Sequence, residues 1–151
     1  MINVFLAYAS GNNFHDTVLR ESATQASTMW RKITPWSDKD TSGQSIARSV
    51  ESWIEDADAF VADISVVNYN VTYEIGYAIG QGKSVRLIRS THADYTKVRQ
   101  VGLLDTLGHD TYDFQPKLKV ILQKDDTPSS WRVTAKNRNQ PIFCASASTT
   151  Y

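Results

Sequence analysis

The sequence predicts a doubly wound α/β fold, a parallel sheet flanked by helices, and three observations carry that expectation. Short apolar runs at residues 2–8, 59–65 and 84–89 alternate with segments of helical character. The connections between them are short. Polar residues suited to ligand chemistry gather just after the runs, at 9–13, 36–43 and 63–74, where such a sheet places its ligands.

INVFLAY at 2–8 reads as a strand stopped by the polar turn Ser10, Gly11, Asn12 and Asn13. From about His15 to Ala26 the composition is compatible with a helix, although its apolar spacing is uneven and Ser and Thr weaken it. WRKITPW at 30–36 resembles a short strand, with Pro35 at its end rather than in its interior. Ile46, Ala47, Val50, Trp53 and Ile54 then recur at helical spacing after the starter Thr41-Ser42-Gly43. AFVADIS at 59–65 is an apolar strand ending in an aspartate, followed by an Asn-rich turn through Asn68 and Asn70. In the next helix, with Val71 as origin, Ile75, Ala78 and Ile79 share one stripe, Glu74 lies at its edge and Tyr77 beyond it. Gly82 and Lys83 mark its stop, since glycine readily ends a helix and a cation suits the negative end. SVRLIR at 84–89 is the fourth strand.

Past residue 90 the pattern weakens. Tyr95 to Leu104 reads as a helix, Lys117 to Gln123 as helix or strand, and residues 125–130 as a turn or linker. Trp131 to Thr134 and Pro141 to Cys144 read as late strands or a small hairpin. The chain thus divides into an α/β domain over 1–124 and a linker or C-terminal extension over 125–151, whose ASASTTY tail is expected where a segment has been cut from a longer protein.

Composition narrows the function classes. The chain of 151 residues suits one domain, and 16 Lys plus Arg against 16 Asp plus Glu give a net charge of +0. That balance argues against binding extended nucleic acid, while a local patch for one nucleotide remains open. No stretch approaches the roughly eighteen apolar residues of a membrane span. Cys144 is the single cysteine, and MINVFLAYASGNN lacks the basic and apolar regions of a signal peptide, so a reducing, cytoplasmic setting is expected. His15, His92 and His109 show no ligand spacing among themselves, so no metal site is expected. Gly11 belongs to no GxGxxG or Walker run, which disfavours redox dinucleotide cofactors and phosphoryl transfer.

The stretch from Asp63 through Asn68, Asn70 and Glu74-Ile-Gly-Tyr-Ala78 to Gly82-Lys83-Ser-Val-Arg-Leu-Ile resembles the nucleoside 2-deoxyribosyltransferase family. Members of that family present an Asp on a strand, an Asn-containing turn and a Glu-Leu-Gly-Tyr-Ala helix before Gly-Lys and another apolar strand. The resemblance implies a flavodoxin-like fold, Glu74 as nucleophile, Asp63 assisting at the sugar or base, and Tyr8 or Ser10 lining the same pocket. An overlapping set, VFLAYAS at the start, Trp36-Ser-Asp38 before Gly43 and an amphipathic helix, and the glutamate helix, resembles Toll/interleukin-1-receptor domains. Enzymatic members of that group cleave NAD at its N-glycosidic bond with a helix glutamate. The two resemblances span residues 2–89. The chain departs from the first in carrying Leu6-Ala7-Tyr8-Ala9-Ser10 where a Leu-Ala-Gly-Pro type of loop is usual, and from the second in lacking a Trp-Cys pair before the glutamate. Together they imply a nucleoside, nucleotide or NAD as substrate, NAD being cut rather than used as a cofactor. They also imply homo-oligomers, a further effector or sensor domain, and a setting in antiviral defence.

The chemistry fits these residue types. Breaking an N-glycosidic bond builds positive charge on the sugar, so an ionised carboxylate beneath the anomeric carbon stabilises the transition state or forms a covalent intermediate. An Asn70 cap would put Glu74 in the first helical turn, where the positive helix end favours its ionised form. Tyr77 and Asn70, three and four residues away, can neighbour Glu74 and orient its oxygens or a sugar hydroxyl. Asp63 serves either the ligand or its own turn through backbone amides. Trp36 either stacks on a base or seals the sheet end, whereas Trp53 lies on the apolar stripe and belongs to the core. Ser37, Asp38, Asp40 and Ser42 contact substrate or cap the following helix, and the Toll-like resemblance, whose pattern includes Asp38, makes it the best ligand candidate among them. The expected function is N-glycoside cleavage through Glu74; the alternative is a nucleotide-sensing or oligomerising module without turnover.

Overall fold

The computed structural model describes residues 1–39, 46–101, 104 and 108–124. The starter Thr41-Ser42-Gly43, Asp40, and the 125–151 segment with its expected late strands lie outside them. Five strands, β1 (Ile2–Ala7), β2 (Arg31–Pro35), β3 (Ala59–Asp63), β4 (Ser84–Ser90) and β5 (His109–Tyr112), alternate with α1 (Asn13–Ala26), α2 (Ile46–Asp56), α3 (Tyr69–Gly80), α4 (Tyr95–Arg99) and α5 (Gln115–Leu122). They form one sheet of order β2-β1-β3-β4-β5 with every pairing parallel. This is the flavodoxin-like, doubly wound arrangement, and the strand order reverses between β1 and β3.

Strand alternation assigns the two faces. Phe5 and Ala7 of β1 and Phe60 and Ala62 of β3 join the core with Ile54 of α2 and Ile75 and Ala78 of α3. Val4 and Leu6 of β1 and Val61 of β3 join Leu19 and Ala23 of α1 and Leu118 of α5 on the other side. Because both faces are covered, the central strands carry apolar residues at nearly every position, which is why they stand out as runs in the sequence. Trp53 packs on the first core with its ring 6.2 Å from that of Phe5.

Several boundaries differ from the sequence expectation for local reasons. Helix α1 begins at Asn13 because the Asn12 side chain accepts from His15 N at 3.2 Å. KLKVILQ resolves as helix, within α5, which buries Leu118, Ile121 and Leu122. Strand β5 was not anticipated: it has four residues of which only Tyr112 is buried, so no apolar period exists to be read. The Lys83 side chain does not serve its own helix end. Gly82 N–H bonds to Ile79 O and Lys83 N–H to Ala78 O, closing α3 by backbone alone with Gly82 at φ +69°. The Lys83 ammonium instead donates to the carbonyls of Glu55 and Ala57 at the end of α2.

Candidate functional site

At the C-terminal edge of the sheet, Asp63 ends β3 with 1% of its surface exposed. Its Oδ1 accepts from Ser65 N at 2.9 Å and lies 3.1 Å from His15 Nε2, while its Oδ2 accepts from Tyr112 Oη at 2.6 Å. Three elements converge here for separate reasons: the Asn12 cap fixes the start of α1 and with it His15, β3 delivers Asp63, and β5, two strands away, delivers Tyr112. The hydrogen bond to Asp63 holds the His15 imidazole above its usual pKa, outweighing burial, which acts in the opposite direction. Burial first, and the neighbouring Asp63 second, keep the Tyr112 phenol firmly protonated. The bond from Ser65 N shows that Asp63 does close its own turn.

Glu74 sits on α3, whose cap corrects the sequence reading. Asn68, not Asn70, accepts from Val71 N at 2.8 Å; Asn70 is an exposed residue inside the first turn. The turn offered two asparagines, and the one three residues before Val71 has the reach of a cap. Glu74 therefore falls in the second turn, where the helix dipole has faded. It is half-buried and, among the described residues, has no hydrogen bond or ion pair. Burial alone pushes its pKa up to about 7, so it is not the firmly ionised carboxylate expected of a first-turn position. Tyr77 does not orient it through its hydroxyl, which bonds to Glu55 on α2; its ring stacks on that of Tyr73, whose hydroxyl bonds to Glu51.

The remaining predicted residues lie where β1 and β2 end. Tyr8 is buried, with its Oη 2.8 Å from Ser37 Oγ, and shares a recess of about 240 Å³ with Ser10, Asp16 and Arg20. Trp36 begins a single 3-10 turn and packs edge-on against Tyr8 at 6.1 Å while touching both cores, which matches the sealing role. Its buried Nε1 has no acceptor among the described residues. Asp38 accepts from Arg20 Nε at 3.0 Å, beside the same recess.

The predicted set is thus split by the sheet. Alternation turns Tyr8 and Asp63 toward the α1 and α5 side, while Glu74, Asn70 and Tyr77 ride on α3 against the other face. Among the described residues no hydrogen bond or ion pair joins Asp63 to Glu74. Sequence reasoning missed His15 and Tyr112 as partners of Asp63. The Asn12 cap three residues before His15 was the one available signal, and Tyr112 had none. His15 and Tyr112 also line a recess of about 480 Å³ between α1 and the ends of β3, β4 and β5. Among the described residues there is no group of three His, Cys, Asp or Glu able to hold a metal ion, and no helix long and apolar enough to cross a membrane.

No protein-family model matches the chain, and no curated protein matches it. Among solved structures it is similar to the CMP N-glycosidase BcmB of Clostridium botulinum, with 19% identity and a TM-score of 0.57 over 80% of this chain and 97% of that one. It is also similar to FerB, a flavoenzyme NAD(P)H:(acceptor) oxidoreductase of Paracoccus denitrificans, with 15% identity and a TM-score of 0.47 over 91% of each chain. At this identity the first likeness establishes the shared fold.

Proposed function

We propose that the protein cleaves the N-glycosidic bond of a nucleoside or nucleotide, with Glu74 as the group that meets the charge developing on the sugar. One observation carries the reading: Glu74 is a half-buried carboxyl without a protein partner, on the helix that follows the central strand, where a doubly wound sheet binds its ligands. The fold likeness supports it, since the CMP N-glycosidase is matched over 97% of its length. In the reaction the bond between the anomeric carbon and the base nitrogen breaks, the bonding pair leaves with the base, and a proton neutralises it. Ionised Glu74 stabilises the cationic sugar or bonds to it, and water then supplies the hydroxyl that ends on the anomeric carbon. A carboxyl with a pKa of about 7 can hold either form near neutral pH, so small changes on substrate binding select the reactive one.

The test is chromatography with mass detection after incubation with CMP, NAD and a panel of ribo- and deoxyribonucleosides over a protein concentration series. Base release by wild type and not by Glu74→Gln supports the reading; comparable turnover by both overturns it. A new nucleoside formed only when an acceptor base is added identifies transfer rather than hydrolysis. Dependence on protein concentration tests the homo-oligomer, and selective NAD loss tests the NAD cleavage that the Toll-like resemblance implies. One observation favours a second reading, nucleotide binding without turnover: both oxygens of Asp63 are engaged by protein groups, which leaves Glu74 without the assisting carboxyl expected of it.

A further inference from the structure

At the end of the sheet away from Asp63, where β2 starts, Met29 and Trp30 form the tip of a tight turn. Thr28 N–H donates to Arg31 O at 2.7 Å, and Thr28 Oγ1 accepts from the N–H groups of Trp30 and Arg31 at 3.3 and 3.2 Å. Turn tips ordinarily carry Gly, Asn, Asp or Ser. This one instead holds two large apolar side chains, 77% and 71% exposed. Ile2, whose N–H donates to Trp30 O at 2.7 Å, adds a third that is 45% exposed. The turn is closed by Thr28 and the backbone, so the Met29 and Trp30 side chains are not needed to form it. Large apolar groups set together in water without a local role mark a surface that is covered.

The path of the chain identifies the occupant. Arg31, next to Trp30, is buried and donates from Nε to Leu122 O at 3.1 Å, at the last residue of α5. The described part of the chain therefore ends beside the apolar turn. Trp131 comes seven positions past Lys124, and Ile142-Phe143 follow further on. Seven extended residues span up to about 23 Å, enough to carry Trp131 from the end of α5 onto the turn. The covalent tether also gives this segment an effective concentration that a free partner lacks. Around the turn the exposed carboxylates of Asp56 and Asp58 stand against Lys32 and Lys83, and Asp58 accepts from Asn3 N, next to Ile2, at 2.7 Å. A rim of mixed sign offers no field to a highly charged partner such as nucleic acid or an anionic membrane. We propose that residues 125–151 return onto this turn, with Trp131 and the Ile142-Phe143 pair covering Met29, Trp30 and Ile2. The contact makes the segment part of the α/β domain rather than a linker, and it involves neither Glu74 nor the carboxyl edge of the sheet.

Cys144, the single cysteine, directly follows Phe143 and gives the experiment its probe. A nitroxide attached there in the full chain should broaden the backbone NMR signals of Ile2 and of Thr28 to Arg31, and Met29→Ser/Trp30→Ser should abolish that broadening. Both replaced residues are exposed, so the variant keeps the core intact. Trypsin acting on the unlabelled full chain supplies a second readout, because the segment carries Arg132, Lys136 and Arg138. Cleavage after these residues should be about tenfold or more faster in the variant, since proteolysis follows the population of the released form. No broadening at the turn overturns the proposal, as does broadening that survives in the variant or equal cleavage rates in the two proteins. Mixing isotope-labelled chains without nitroxide and unlabelled chains with it tests for a second copy. Broadening of equal strength in that mixture would place another molecule's segment on the turn and overturn the proposal as well.

Discussion

Tyr112 Oη donates to Asp63 Oδ2 at 2.6 Å, tying the end of edge strand β5 to the end of central strand β3. The bond crosses two strand spacings and is buried, so it fixes the far edge of the sheet relative to its centre. Tyr112→Phe keeps the ring in the core and removes only the donor, leaving Asp63 with His15 and Ser65 N. We expect a loss of about 1–3 kcal/mol in stability, read as a lower denaturant midpoint with an unchanged slope.

His15 gives a pH-dependent companion to that bond. Its pKa is raised in the folded protein above the ordinary 6.5, chiefly by the hydrogen bond to Asp63. The folded state therefore binds the imidazole proton more tightly than the unfolded chain does. The stabilisation is fully present below pH 6.5 and is lost as pH rises through the folded value. NMR titration of the His15 ring should place its midpoint above 6.5, and Asp63→Asn should bring it down. A His15 midpoint unmoved by Asp63→Asn would show that the pair does not hold the proton.

Gly82 tests the backbone closure of α3. Its φ of +69° is left-handed, and a Cβ built there meets nothing within 4 Å. Gly82→Ala therefore introduces backbone strain without a clash, and the expected cost is about 1 kcal/mol by thermal or urea unfolding. A cost several times larger would point to packing that the backbone geometry does not contain.

The parts of the fold legible in the sequence are those whose residues face two cores at once. All five residues of β3 are buried, and Ile75, Ala78 and Ile79 keep the helical stripe that the spacing predicts. The site was legible by residue type and not by partnership. His15 and Asp63 are 48 positions apart and Tyr112 and Asp63 are 49 apart, so only the closed sheet brings them together. Asp63 and Glu74 are near in sequence yet lie toward opposite faces, because a strand end alternates sides and a helix does not. Two local points about Glu74 were hidden: both Asn68 and Asn70 are acceptable caps, and the choice decides which turn the glutamate occupies, while the burial that raises its pKa comes from packing that helical spacing does not show.

Glu74 carries the last prediction, in which stability and activity change in opposite directions. Burial raises its pKa from the ordinary 4.5 to about 7. The folded protein thus holds this proton more tightly than the unfolded chain, so the Glu74 contribution to stability falls as pH rises from about 4.5 through 7 and is least favourable above that. Glu74→Gln removes the titration. After allowance for its partial exposure, the variant should be more stable than wild type by about 2 kcal/mol at pH 8, with the difference vanishing near pH 4. If ionised Glu74 meets the sugar cation, kcat/KM for base release should rise with pH and level off above about 7, and Glu74→Gln should lose the activity in the same range where it gains stability. A rate that instead falls with pH through 7 would assign Glu74 to proton donation toward the leaving base. A variant no more stable than wild type at pH 8 would mean that the carboxyl is ionised without cost in the folded protein, and the pH dependence of the rate would then have to come from another group.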